Sequence, residues 1–189
     1  MILQKILKRY EPYEILDLLS MEEIDYRAAV VLHKDRKKVL IANNVKVISY
    51  LLNPDLEVLI CNSATQFGPY TVFNENLKVI HCPLVKQLPH PWSLPSSLEY
   101  IVLNSLTDEE GFFHSEHFSE YSFLNVKKLY LDSIKKIDLS RFPNVEYLSL
   151  NSIQDFENSG ISNKDELPVS LKFLSPLTLK KHRHLQKHL

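Results

Sequence analysis

The nine residues Val145-Glu-Tyr-Leu-Ser-Leu-Asn-Ser-Ile153 decide the fold, because related segments recur along the 189-residue chain. Five further copies begin at Leu56, Leu77, Leu98, Val126 and Leu171. Successive copies start 21, 21, 28, 19 and 26 residues apart. Repeats at this spacing are typical of solenoids, in which each repeat contributes one turn of chain that packs only against its neighbours.

The apolar residues inside each copy alternate with variable ones, as Leu148 and Leu150 do in the copy quoted above. This two-residue period predicts a short strand with one buried face. One such strand cannot bury its apolar side alone, so we expect the copies to stack into a parallel sheet. Prolines and asparagines that precede the copies, such as Pro143-Asn144, provide the corners.

The pattern resembles the L-x-x-L-x-L core of the leucine-rich repeat family, with Val145, Leu148 and Leu150 at its apolar positions. The resemblance covers about residues 56–179. It departs from the family at the ninth position, which is Ile153 here rather than Asn or Cys. The resemblance implies an α/β fold, a leucine-rich-repeat-like solenoid with a short parallel sheet, and a binding role for the concave face.

The domain organisation that we predict has three parts. Residues 1–44 form an N-terminal helical and strand cap, in which the apolar spacing over 13–27 predicts one or two amphipathic helices. Residues 45–179 form the solenoid of about six repeats, with an insertion at 107–125 and a degenerate copy near Val45. Residues 180–189 form a basic tail.

The second position of each copy carries a charge whose sign alternates without exception. The residues are Glu57, Lys78, Glu99, Lys127, Glu146 and Lys172. In a parallel sheet, they would lie in a row about 4.8 Å apart, where opposite charges attract. The alternation therefore supports an in-register stack. The sixth position places Cys61 beside Cys82, where we expect both thiols to act as small buried hydrophobes.

The concave face is the predicted functional surface, because tyrosines and amides are enriched there. The partner-binding residues that we predict are Tyr100, Lys128, Tyr130, Asp132, Tyr147 and Asn151. Exposed tyrosines favour protein interfaces. Two alternatives stay open: the N-terminal segment or the 106–125 loop folds over this face, or a second copy covers it in a homodimer.

Residues 11–24 resemble a shortened F-box, a motif that docks substrate receptors onto a ubiquitin ligase. Pro12, Glu14, Ile15, Leu16 and Ile24 match its apolar and acidic rhythm. The resemblance implies an F-box-like substrate-recognition adaptor as the alternative function. The other interpretation of this segment is a helical cap over the first repeat.

Composition argues against several other classes of function. The net charge of −1 predicts neither nucleic-acid nor membrane-surface binding, and three glycines are too few for a phosphate-binding loop. His114 and His117 fit a surface insertion better than a metal site. We expect no catalysis, cofactor or metal. Because Lys5 and Lys8 interrupt the first apolar run, we expect no signal peptide and a cytoplasmic or nuclear protein.

Overall fold

The computed structural model describes residues 2–18, 23–25, 34–50, 53–88, 94–107, 123–134, 137, 139–152 and 168–175. The strands in these ranges are β1 (Ile15–Asp17), β2 (Glu23–Ile24), β3 (Val39–Ile41), β4 (Val47–Tyr50), β5 (Val58–Ile60), β6 (Gln66–Tyr70), β7 (Val79–His81), β8 (Tyr100–Val102), β9 (Lys128–Tyr130), β10 (Tyr147–Ser149) and β11 (Phe173–Leu174). The helical elements are α1 (Ile2–Leu7) and two 3-10 turns at Pro12–Glu14 and Leu139–Arg141.

Short parallel strands dominate the described part of the chain and stack as in a solenoid. Eight of them form the main sheet in the order β1-β3-β5-β7-β8-β9-β10-β11. A second sheet of three parallel strands, β2-β4-β6, runs along the N-terminal turns. Strands β4 and β6 of the second sheet approach closely at Gly68, where a Cβ would lie 2.8 Å from the Ser49 Cα.

The repeats stack in the register that the sequence predicts. Third-position residues pair along the sheet, with Val58 opposite Val79, Val79 opposite Tyr100, and Tyr147 opposite Phe173. Each second-position carbonyl accepts hydrogen bonds from two amides of the next turn, as Glu57 does from Lys78 and Val79. The solenoid of parallel strands is therefore confirmed.

The alternating charge row is also present, and it extends over two more strands than the sequence suggested. The full row is Glu14, Lys38, Glu57, Lys78, Glu99, Lys127, Glu146 and Lys172. Its ion pairs include Lys38 to Glu14 at 2.6 Å, Lys78 to Glu57 at 2.7 Å and Lys172 to Glu146 at 2.8 Å. These pairs favour the observed register, because a strand shifted along its neighbour would lose the contacts between opposite charges.

The core lies between the main sheet and the returning chain. Fourth-position residues fill it with one side chain per turn, and all are nearly or fully buried: Leu59, Ile80, Ile101, Leu129, Leu148 and Leu174. Each such burial stabilises the fold by roughly 1.5–3 kcal/mol. Cys61 and Cys82 are buried free thiols, as predicted. Burial raises the pKa of Cys61, which keeps this thiol protonated.

Asparagine side chains hold the corners that precede several strands. The Asn53 amide is fully buried, and it donates to the Lys37 carbonyl at 2.6 Å and accepts from the Asp55 amide at 3.0 Å. Asn74 repeats this arrangement one turn later by donating to the carbonyl of Asn53. In the C-terminal turns, Asn144 donates to the Leu124 carbonyl at 2.7 Å. Asparagines therefore form a corner ladder before the strands, and after β3 and β5 Asn62 also donates to Asn43 at 2.7 Å.

The predicted helical cap over residues 13–27 is wrong in the part that the structure describes. Ile15–Asp17 and Glu23–Ile24 are strands, and β1 is the first strand of the main sheet. Pairing with β3 buries the apolar residues of this segment better than an isolated helix could. The 3-10 turn at Pro12–Glu14 precedes β1 directly, and the Ile15 amide donates to the Pro12 carbonyl at the end of this turn. Residues 19–22 and 26–27 lie outside the described ranges.

The copy expected near Val45 is also displaced. Strand β4 at this point belongs to the second sheet, and β3 supplies the main-sheet strand of that turn. The basic tail at 180–189 and most of the 107–125 insertion lie outside the described residues. None of the helices described is long and apolar enough to cross a membrane.

Candidate functional site

The face that the sequence predicts as the binding surface is the outward face of the main sheet. It consists of the third- and fifth-position side chains, which point away from the core because strand residues alternate. Along the third positions, aliphatic residues give way to aromatic and cationic ones: Ile15, Val39, Val58, Val79, Tyr100, Lys128, Tyr147 and Phe173. The face therefore has an aliphatic half over β1, β3, β5 and β7 and an aromatic half over β8–β11.

The N-terminal segment covers the aliphatic half. Ile6, Leu7 and Tyr10 pack against a cluster of buried outward residues that comprises Val39, Val58, Ile60, Val79, Tyr100 and Val102. The Tyr10 hydroxyl donates to Glu57 Oε2 at 3.1 Å. Burial and this carboxylate raise the pKa of Tyr10, so the phenol stays a hydrogen-bond donor. For this half, the structure thus shows one of the two alternatives, a face covered by its own N-terminal segment.

Rings line the remainder of the outward face. His81 stacks on Tyr100 with ring centroids 6.4 Å apart, and Tyr100 meets Tyr130 edge to face at 5.8 Å. Further along, Tyr147 and Phe173 lie 6.1 Å apart, and their rings are tilted by 34°. These rings form one aromatic row across five neighbouring strands, β7–β11.

A cation joins the aromatic row at its exposed end. Lys128 Nζ lies 5.0 Å from the centroid of the Tyr147 ring, a cation–π contact. Lys128, Tyr130 and Tyr147 are half-buried, and Phe173 is 43% exposed. We define these four residues as the aromatic patch. It combines accessible ring surface, two phenolic hydroxyls and one amine on a rigid sheet.

Polar side chains at the strand ends flank the aromatic patch. Ser149 Oγ donates to Asp132 Oδ1 at 2.5 Å, and Ser175 Oγ donates to Asn151 Oδ1 at 2.5 Å. Each bond joins a strand to the turn that follows its neighbour. Asp132 and Asn151 therefore contribute to the order of this edge of the sheet, and both side chains remain half-buried.

Burial shifts the pKa of three side chains of the row, Tyr100, Tyr130 and His81. Burial and the neighbouring Tyr130 raise the pKa of Tyr100 to about 12, and burial raises the pKa of Tyr130. Burial lowers the pKa of His81, whose Nδ1 has no hydrogen-bond partner among the described residues. Neutral phenols and a neutral imidazole suit the recognition of another surface by packing and hydrogen bonds.

The six residues predicted from sequence divide into three groups. Lys128, Tyr130 and Tyr147 lie together in the aromatic patch, whereas Tyr100 is only 7% exposed and packs in the covered cluster. Asp132 and Asn151 lie at the flanking edge, described above. Sequence reasoning missed Phe173 as a site residue, although it occupies the third position of the last copy, the same position as Tyr147.

Comparisons with protein-family models, curated proteins and solved structures give no match for this chain. Within the described ranges, no group of three or more His, Cys, Asp or Glu residues is placed to hold a metal ion. The case for a function therefore rests on the outward face itself.

Proposed function

We propose that the protein is a non-catalytic interaction module, a scaffold or adaptor, that binds a partner protein through the aromatic patch. The observation that carries this proposal is the exposed end of the aromatic row, where Lys128 lies over Tyr147 and Phe173 is 43% exposed. Tyrosines and cation–π pairs are enriched where proteins meet, because a large ring can be buried while its hydroxyl keeps a hydrogen bond.

The rigidity of this surface supports a binding role. Its third-position residues sit on strands whose amides donate to the preceding turn, as Tyr147 does to Lys127 at 3.0 Å and Phe173 to Glu146 at 3.0 Å. Side chains fixed on such a frame lose little conformational freedom when a partner binds. The leucine-rich-repeat resemblance points in the same direction, since that family implies protein binding on the strand face.

The F-box-like adaptor stays a prediction. Ile15 and Leu16, which carry much of that resemblance, are strand residues of β1 and pack against the two apolar clusters of the solenoid. Cytoplasmic or nuclear location and a homodimer stay predictions as well.

The test uses tagged chain immobilised in extract from its native cells, compared with the variant Tyr130→Glu. This change adds a charge to the patch at a half-buried ring, so it should abolish capture of the partner while the chain stays folded. The matched control is Tyr13→Glu, which makes the same substitution at a side chain that is 73% exposed outside the patch. Loss of capture by Tyr130→Glu alone supports the proposal.

Equal capture by wild type and by Tyr130→Glu would reject the patch as the site. The mass of the purified chain in solution is measured in parallel. A dimer that Tyr130→Glu converts to a monomer would identify the partner as a second copy of the chain.

A further inference from the structure

Residues 2–10, which we call the cover, pack on the aliphatic half of the outward face. This segment resembles a bound peptide more than a turn of the solenoid. Its backbone hydrogen bonds are local: Lys8 donates to Gln4, Arg9 to Ile6 and Tyr10 to Leu7. The segment contributes no strand to either sheet. It reaches the sheet through apolar side chains and through the hydrogen bond from Tyr10 to Glu57.

The cover is also a weak structure by itself. Helix α1 has six residues, and isolated helices of that length are unstable in water. Ile6 and Leu7 are half-buried in the docked segment, whereas Val39 and Val58 of the cluster that they pack against are fully buried. The face is thus more firmly held than the segment, because the residues of the face lie on strands that are hydrogen-bonded to neighbouring strands.

A polar contact accompanies the apolar one. The Tyr10 hydroxyl donates to Glu57 Oε2 at 3.1 Å, and this oxygen also pairs with Lys78 Nζ at 2.7 Å. The basic residues of the segment, Lys5, Lys8 and Arg9, are exposed. Two adjacent aliphatic side chains, a phenolic donor and exposed basic residues are therefore the features of the segment that this half of the face binds.

We propose that the aliphatic half of the outward face is a peptide-binding site, which residues 2–10 occupy in this chain. Its external ligand is a short helical segment of a partner protein with the same chemistry: two adjacent aliphatic residues, a tyrosine three positions later and flanking basic residues. Such a segment displaces α1 when it binds. This site adjoins the aromatic patch, because Tyr130 packs against the same buried cluster and its ring lies 5.8 Å from that of Tyr100. Its occupant and its test are different, so it stands even if Tyr130→Glu leaves partner capture unchanged.

The test keeps the full chain and weakens only the cover, with the double variant Ile6→Glu and Leu7→Glu. Neither residue belongs to the main core, so the solenoid should keep its far-ultraviolet circular dichroism. The probe is a fluorescein-labelled synthetic peptide of residues 1–11. We expect saturable 1:1 binding to the double variant, at least tenfold tighter than to the wild type. In the wild type, the tethered segment competes at an effective concentration near millimolar.

A pair of matched changes locates the bound peptide. Tyr10→Phe in the peptide should weaken its binding to the double variant about tenfold, because it loses a hydrogen bond to a carboxylate. Glu57→Gln in the double variant should weaken the wild-type peptide but have little effect on the Tyr10→Phe peptide. Equal affinity of the probe for wild type and folded double variant, absence of binding to both, or independent effects of the two changes would overturn the proposal.

Discussion

Lys78 lies inside the charge row, with Glu57 and Glu99 on the neighbouring strands, so replacing it tests how strongly the row stabilises the fold. Its Nζ lies 2.7 Å from Glu57 Oε2, and the two side chains are 45% and 20% exposed. Two unit charges at that distance attract by about 1.5 kcal/mol in water. Side-chain ordering and screening reduce the net value of such an exposed pair to roughly 0.2–1 kcal/mol.

The substitution series Lys78→Gln and Lys78→Glu separates lost attraction from added repulsion. We expect Lys78→Gln to lower the free energy of unfolding by roughly 0.2–1 kcal/mol, the worth of the lost pair. In Lys78→Glu, the new carboxylate also faces two like charges about 4.8 Å away, each costing at most about 0.9 kcal/mol in water. The total destabilisation should be roughly 1–3 kcal/mol.

The measurement is urea unfolding at about 20 mM and about 500 mM NaCl, because salt at the higher concentration screens charges a few ångströms apart. The control is Lys86→Glu, which makes the same substitution at an exposed lysine outside the row. If Lys78→Glu and Lys86→Glu destabilise the chain equally, or if salt leaves their difference unchanged, the row does not contribute as described.

Three further predictions concern the core, the corner ladder and pH. Leu148→Asp buries an unpaired charge at a fully buried site, so cooperative thermal melting should be lost, and a soluble variant that melts cooperatively would contradict the register. Asn53→Ala should cost about 1–3 kcal/mol in urea unfolding, because the Lys37 carbonyl and the Asp55 amide both lose the buried Asn53 side chain as a partner; an unchanged midpoint would count against the ladder. Burial lowers the pKa of His81 below 6.5, so the folded chain favours the neutral imidazole. The contribution of His81 to the free energy of unfolding is therefore complete above pH 6.5 and is lost as the pH falls. His81→Phe should therefore flatten the fall in the free energy of unfolding between pH 7 and 5.5, and an unaltered slope would contradict this assignment.

The main-sheet strands β5 and β7–β11 could be predicted because each turn repeats its apolar and charged positions at a fixed offset, whereas β6 of the second sheet carries no copy of the repeat. Of the first two strands of the main sheet, β3 has the apolar run of a strand, but its place in the stack could not be predicted, and β1 was predicted as a helix. By register, the first apolar position of the repeat is Lys37 in the turn of β3 and Tyr13 in that of β1, so the pattern is broken there. The alternation of charge, which continues through Glu14 and Lys38, was the available signal.

The N-terminal strand was mistaken for a helix because the spacing of Ile15, Leu16 and Leu18 fits both the helical and the strand period over so few residues. Pairing with β3 decided the outcome, and that pairing is a long-range contact. The cover by α1 was likewise beyond reach as a definite prediction. A six-residue helix has little propensity of its own, and its place depends on the aliphatic face that it meets.

Among the candidate site residues, those predicted from sequence and found together are the ones with a fixed repeat position. Lys128 and Tyr147 share the third position of neighbouring turns, so their cation–π contact follows from the register. The burial of Tyr100 depends on the covered cluster in which it packs. The position of Tyr100 in the repeat does not show what packs against its ring, so this burial could not be predicted.

The central claim is that the aromatic patch is the surface that binds a partner protein. The most direct measurement is photo-crosslinking of the full chain in native cell extract, with benzoylphenylalanine at Phe173 or, as a control, at Val72, a 55%-exposed residue outside the main sheet. If the aromatic patch binds the partner, a discrete crosslinked species forms from position 173 and is lost with Tyr130→Glu, and none forms from position 72. Crosslinking from position 72 alone, or from neither position, would contradict this claim.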